Sequence, residues 1–399
     1  MTVWVGADWD IEKCVVEVER EGETWRSKVA RTPEAVGRWV AGLGQGQIVV
    51  GIEAGDPLWV GLWERAGAEV FVFDAKKAKN FARSLSSSNA SDDKRSAETL
   101  RLQVQSPAHR RKANRSTPTE LRGSQRLLSV HDVVSDEITR HTNRLNSLLR
   151  QVHPALRNAL GKLDRVGVVR LLGMAPTPRA WEELTSEDRA VALKGFHSKR
   201  RAQVVVAMAD DWAHMSVDED AAARLQVRQI VAVLQVLLRQ RKEADEALEE
   251  SVPENPVASI AVQIDGLGSY LSTGAAVALG GSSGQRDRMA RRTALAPVTA
   301  RSGTRGDASP RVFMRRSSST NLRKIGYLIA AQLVSRHAWA KAQFAHYKAK
   351  GINSPGAFRR VGRSFGRVLE ALVRDDVPFD EHRYVQALKS KGVTWAMEL

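Results

Sequence analysis

One cysteine in 399 residues, Cys14, leaves no partner for an internal disulfide and no set of thiolates for a structural zinc site. Acids are also in short supply. The chain has 45 Asp and Glu against 61 Lys and Arg, a formal charge of +16 with a pI near 10.2. Such an excess favours a polyanionic partner, because cations that neutralise phosphates release condensed counterions, and nucleic acid is the first candidate. An anionic membrane would attract the same charge, but no uninterrupted apolar run reaches the ~18 residues that a spanning helix needs, so no membrane partner is expected. The opening MTVWVGADWDIEK carries acids where a secretory signal would carry bases, which points to a cytoplasmic, nucleoid-associated protein. No internal repeat is evident. What is present in quantity is apolar residue, 43% of the chain, enough for at least one full core and two or three domains.

The charge is unevenly spread. Acids outnumber bases from Met1 to about Ala75, whereas Gln285 to Ile325 carries eleven Arg and Lys against only Asp287 and Asp307. The first half of this pattern coincides with β-prone segments at 3–8, 14–20 and 23–31, the last two joined by a Glu21-Gly22 turn. A helix over 33–43, a continuous apolar strand at 48–53, a short helix at 58–66 and a strand at 69–74 follow. The resulting order, β-β-β-α-β-α-β and then helix, matches an α/β ribonuclease H-like domain. Helices are predicted over 76–83 and 90–103 with the serine run 84–88 as a loop between them, and 106–118 reads as a connection. A long amphipathic helix is predicted over 119–152, and His131, His141 and His153 are expected as surface groups along it.

Beyond it the pattern is mainly helical. Val227, Ile230, Leu234, Leu237, Ala244 and Leu248 form a coiled-coil-like seam over 218–250 that suits either a second copy of the chain or its own domain. Residues 262–281 predict a helix, a GLG turn and a second helix whose glycines would let backbone amides approach a phosphate. Pro253 and Pro256 mark a boundary, giving three expected domains: 1–155, 156–252 and a mainly α-helical 253–399.

Asp8 and Glu53 are placed at the ends of neighbouring strands, with Asp92 and Asp93 opening the helix that packs beside them. Oxygen ligands of this kind suit Mg2+ or Mn2+, and two such ions can activate an attacking oxygen and stabilise a leaving one in phosphodiester chemistry. Each acid also has a structural alternative, Asp8 capping a turn and Asp92 capping its helix. Asp10 stands in reserve on the same strand face as Asp8. Ser302, between Arg301, Gly303 and Arg305, lies in a small-residue turn that suits either a nucleophile or a phosphate-contacting loop. Arg301, Arg305, Arg315, Arg316, Arg323 and Lys324 are the candidate nucleic-acid contacts.

With these residues in view, the chain resembles insertion-sequence transposases that join a RuvC-like DEDD domain to a C-terminal catalytic-serine domain, the group that includes Piv-type invertases and bridge-RNA-guided recombinases. VGADWDIEKC, VVGIEAGDPLW and FVFDAKKAKNFARSL followed by SDDKRSAETL resemble its acidic motifs. LAPVTARSGTRG and MRRSSSTNLRKIGYLIAA resemble its C-terminal ones. The resemblance implies Asp8, Glu53 and Asp93 as metal ligands and Ser302 as the residue that joins a DNA 5′-phosphate. It also implies a composite site shared within a dimer or tetramer, and a structured noncoding RNA that chooses the DNA. It further calls for a fourth acid three residues after Asp93, where this chain has Ser96. The alternatives are a RuvC-like nuclease or junction resolvase in which water attacks, and an inactive nucleic-acid-binding relative.

Overall fold

The computed structural model describes residues 1–53, 56–85, 92–110, 113–115, 119–209, 216–280, 287–296, 298–300, 311–313 and 319–399. They form two compact units, Met1–Arg122 and Gly123–Leu399. The first is a mixed α/β layer and the second, among the described residues, is almost entirely helical.

The first unit contains β1 (Thr2–Trp9), β2 (Lys13–Arg20), β3 (Glu23–Ala30), α1 (Pro33–Gly42), β4 (Gln47–Glu53), α2 (Pro57–Arg65), β5 (Glu69–Phe73), α3 (Ala75–Leu85), α4 (Asp93–Gln105), α5 (Pro107–Arg110) and β6 (Asn114–Arg115). The sheet order is β3-β2-β1-β4-β5-β6, with β1, β4 and β5 parallel and β2, β3 and β6 antiparallel to their neighbours. Strand alternation sends Val3, Val5, Ala7, Ile48, Val50 and Ile52 to one face, where they are buried with Val36, Val40, Trp59 and Trp63 of α1 and α2. On the other face Trp4, Val49, Phe71 and Phe73 cluster with Leu100 and Val104 of α4.

That second face is interrupted by two glycines facing each other in register, Gly6 on β1 and Gly51 on β4. A Cβ on Gly6 would sit inside the backbone of α4 at Ala97 and Arg101, and one on Gly51 would lie 2.6 Å from the Leu100 carbonyl oxygen. The missing side chains let α4 lie directly on the sheet. Its placement is locked by Arg101, which donates to buried Glu17 on β2 at 2.9 Å, the same carboxylate that Arg26 of β3 engages. The connection expected over 106–118 contains α5 and the two-residue β6, a strand too short to show as a pattern. Of the serine run, Ser84 lies in the last turn of α3, which ends at Leu85, and 86–91 lie outside the described residues.

α6 (Thr119–Val152) begins in the first unit and continues through the second. There it is followed by α7 (Pro154–Leu160), α8 (Val166–Met174), α9 (Pro178–Glu182), α10 (Ser186–Ala192), α11 (Ser198–Met208), α12 (Val217–Ser251), α13 (Pro256–Ala261), α14 (Ser269–Leu279), α15 (Arg288–Arg292), a ribbon of β7 (Val298–Ala300) and β8 (Arg311–Phe313), α16 (Thr320–Arg336), α17 (Ala338–Ala349), α18 (Ser354–Asp375) and α19 (Glu381–Ser390). Val227, Val231 and Leu234 of α12 share a core with Val134, Ile138, Leu145 and Leu149 of α6. The α12 seam is therefore used within its own unit at these positions. α12 is also long and apolar enough to cross a membrane by length and composition, although Arg224 and Arg228 interrupt its apolar run.

Three expectations change here. His131 and His153 are buried rather than on the surface, His131 stacked 4.1 Å from the Tyr270 ring, because α6 is covered on more than its one apolar stripe. The helix before the GLG turn is Pro256–Ala261, so 262–267 is the turn itself. The second helix, α14, is buried from Leu271 to Leu279, and its Gly274 serves close packing against Ile325 rather than an approach to phosphate.

Candidate active site

Asp8 and Glu53 each lie two residues beyond the paired glycines, so both share the face that α4 covers. α4 runs back across that face: its first turn is at the carboxyl ends of β1 and β4, and Leu100 and Val104 lie farther down against Gly51 and the Phe71–Phe73 cluster. Asp92 is the N-cap of α4 and accepts from the Arg95 amide at 2.7 Å, so the structural alternative for this acid holds; Asp93 occupies the first turn. Ser96 is one turn on, at the i+3 position that shares a helix side with Asp93, and is partly buried. The edge is braced by two indoles: Trp9 Nε1 donates to the Glu53 carbonyl at 3.1 Å and Trp59 Nε1 to the Asp10 carbonyl at 2.9 Å.

The carboxylates feel one another. Asp8 is pushed up to about 6, first by burial and then by the negative charges of Asp93, Glu53 and Asp10. Glu53 is raised by burial and by Asp74. Asp74 follows β5 directly and belongs to the same edge of the sheet, an acid beyond those expected there; its signal in the sequence is an acid closing the third parallel strand, in EVFVFD. Among the described residues no lysine or arginine is paired with Asp8, Glu53 or Asp93. Hard oxygens in mutual repulsion, with no protein cation among them, are a donor set of the type that could hold a divalent cation. Among the described residues no three His, Cys, Asp or Glu stand together as a metal cage.

Ser302 and Arg301, Arg305, Arg315 and Arg316 lie outside the described residues. Two of the predicted nucleic-acid contacts are described. Lys324 is tied to Asp132 of α6 at 2.9 Å, and Arg323 donates to the Thr320 hydroxyl at 2.9 Å. Asp132 also accepts from Tyr270 at 2.7 Å, and the adjacent His131 has Nε2 3.2 Å from the Asp245 carboxylate. Burial and Arg241 hold His131 below the usual imidazole range, against the pull of Asp245 and Asp132. This polar network joins α6, α12, α14 and α16 inside the second unit. Just ahead of the serine segment, residues 289–295 are clasped by glycines: Thr293 against Gly326 of α16, Leu295 against Gly362 and Met289 against Gly366 of α18.

No protein-family model matches this chain. It is distantly similar to the insertion element IS110 uncharacterized 43.6 kDa protein of Streptomyces coelicolor, with 24% identity over 261 residues. The match spans 62% of each chain, less than two thirds of that relative's length.

Proposed function

We propose that this chain is a DNA transposase of the insertion-sequence type, an enzyme that cuts and rejoins DNA strands. The observation that carries the proposal is the gathering of Asp8, Glu53 and Asp93 at one sheet edge of a strongly basic protein. The distant relation to an insertion-element protein supports it. The order β3-β2-β1-β4-β5, with the acid-bearing β1 and β4 side by side, supports a ribonuclease H-like first domain.

In this reading Asp8, Glu53 and Asp93, aided by Asp92 or Asp10, hold Mg2+ or Mn2+. The bound ion supplies charge stabilisation to the attacking and leaving oxygens of a phosphodiester. The chain's own part is to bind and orient. Burial and the mutual repulsion of the acids favour a bound cation, and α4, pinned by Gly6, Gly51 and the Arg101–Glu17 pair, keeps Asp93 near Asp8. Ser302 Oγ attacks a backbone phosphorus as its proton passes to a carboxylate, the bond to the 3′-oxygen breaks, and that oxygen takes up the proton and leaves as a 3′-hydroxyl, with the 5′-phosphate joined to serine. A homo-oligomer brings the acids of one subunit to the serine of another, a noncoding RNA selects donor and target DNA, and the work is done in the cytoplasm on the nucleoid. The three domains are a metal-binding 1–155, a helical 156–252 and a serine-bearing 253–399.

The test is to incubate the purified protein and its co-purifying RNA with fragmented DNA and Mn2+, then recover detergent-resistant protein–DNA adducts. Ser302→Ala should abolish the adducts and keep DNA binding. Strand release with no protein-linked DNA would favour the water-attack nuclease, and neither product would favour a binding relative.

A further inference from the structure

A second cationic feature lies on α15 and α18, organised around one acid. Asp287, with its side chain only 11% exposed, holds a left-handed backbone (φ 64°) ahead of α15. It accepts from Arg363 Nη2 at 2.6 Å and from Arg367 Nε and Nη2 at 2.6 and 3.2 Å. These two guanidiniums hold the Asp287 carboxyl far below the usual carboxylate range. One carboxylate cannot neutralise two guanidiniums, and the arginine side chains stay 35% and 49% exposed. A guanidinium has five donors, so both keep N–H groups beyond those that Asp287 takes. Arg360, exposed on the preceding turn, is held 5.0 Å over the Tyr347 ring. Arg292, lowered to about 10 by burial and by the charge of Arg288, still carries its proton at neutral pH. The surface stays positive after Asp287 and Glu370 are counted.

Residues 360, 363 and 367 fall on one side of α18 over about 10 Å of helix axis. Duplex DNA presents phosphates every ~3.4 Å of axis along each strand, so this row spans about three of them. No large apolar side chain of α15 or α18 is exposed, so the surface lacks the anchor that a bilayer or a protein hot spot would use. Leu295, at the base of the segment leading to Ser302, packs on Gly362 next to Arg363.

We propose that Asp287, Arg363 and Arg367 form a preset clamp which, with Arg360, grips the backbone of duplex DNA. The fork of a guanidinium matches phosphate oxygens pairwise, and Asp287 fixes the two forks before DNA arrives. That the polyanion is DNA rests on the proposed function.

The experiment measures binding of the full-length protein to a labelled duplex of about 30 base pairs by anisotropy, from about 50 to 200 mM KCl. Arg360→Gln/Arg363→Gln/Arg367→Gln should weaken binding at least ~10-fold at the low-salt end and flatten the log K against log salt slope by about 2 to 3. Arg363→Lys/Arg367→Lys, which keeps the charges and loses the forks, should weaken binding with a smaller change in slope. Asp287→Asn gives the sharpest reading. Removing an acid tightens DNA binding if only net charge matters, whereas loss of a preset clamp loosens it, here by ~3-fold or more. Unchanged or tighter binding by Asp287→Asn, together with an unchanged slope in the Lys and Gln variants, overturns the clamp while wild-type DNA binding leaves the transposase proposal standing. Preference for a structured RNA of equal length, lost in the same variants, overturns the DNA assignment. Failure of the wild-type protein to bind DNA at all overturns both proposals.

Discussion

Replacing Gly6 by alanine tests how tightly the fold places the acidic edge. The new carbon would lie 2.9 Å from Arg101 Cβ, besides meeting the backbone of α4 at Ala97 and Arg101. The tightest contact, with the Ala97 carbonyl oxygen, has to open to about 3.3 Å, so α4 must retreat by more than about 1 Å, and the neighbours it would press on are backbone rather than a flexible side-chain end. Overpacking of this kind costs about 1–3 kcal/mol. The retreat would loosen Leu100 and Val104 from the Phe71–Phe73 cluster and draw Asp93 away from Asp8. Gly37 is the control, because it lies within α1 with nothing near the position of its missing Cβ. There alanine should stabilise by about 0.5–1 kcal/mol through helix propensity. Six of the ten tryptophans lie in the first unit, so urea unfolding followed by fluorescence reports mainly on it. Gly6→Ala is expected to unfold at lower urea and to lose DNA cleavage, and Gly37→Ala to do neither. A Gly6→Ala transition within about 0.5 kcal/mol of wild type would refute the close-approach reasoning.

Asp8→Asn should separate stability from activity. A carboxyl raised to about 6 in the folded state costs stability once it ionises, so the penalty is absent below about pH 4 and complete well above 6. Because Asp8 is only partly buried, the gain on substitution is discounted to about 1 kcal/mol near pH 8, vanishing in acid; equal melting of the two proteins at all pH values would contradict it. Ser96→Asp places a carboxylate one turn from Asp93 and should raise Mn2+ affinity in calorimetric titration by about 10-fold; weaker binding would show that this position does not face the ion. Asp132→Ala leaves Tyr270 and Lys324 without their shared acceptor and should cost about 2 kcal/mol in thermal unfolding, with loss below 0.5 kcal/mol counting against the network.

Much of the first unit is legible because its signals are local. Alternating and continuous apolar runs mark β1 to β5 within a residue or two, and the Glu21-Gly22 turn joins β2 to β3. The 34 residues of α6 follow directly from one periodic stripe. His131 and His153 escape that logic, since a stripe tells which side must be buried and not which other sides become so. The α12 seam shows the same limit: a three-and-four spacing is satisfied equally by a second copy and by helices of its own unit, and Val227 and Leu234 are buried in the core of that unit, where α12 packs on α8 and α14.

By itself the sequence determined the chemistry available: an excess of cations, acids at strand ends, and a strand order set by short connections. These are properties of composition and period, written residue by residue. Tertiary structure alone decided which acids share an edge. Gly6 and Gly51 admit α4 to the sheet, Arg101 and Glu17 hold it there, and only then do Asp93, Asp8 and Glu53 repel one another while Asp74 joins them from β5. The same holds for Arg363 and Arg367, which no spacing links to Asp287 some eighty residues earlier. Coulomb forces and steric contact act through space, so long-range pairs become visible once the backbone has brought them within a few ångströms.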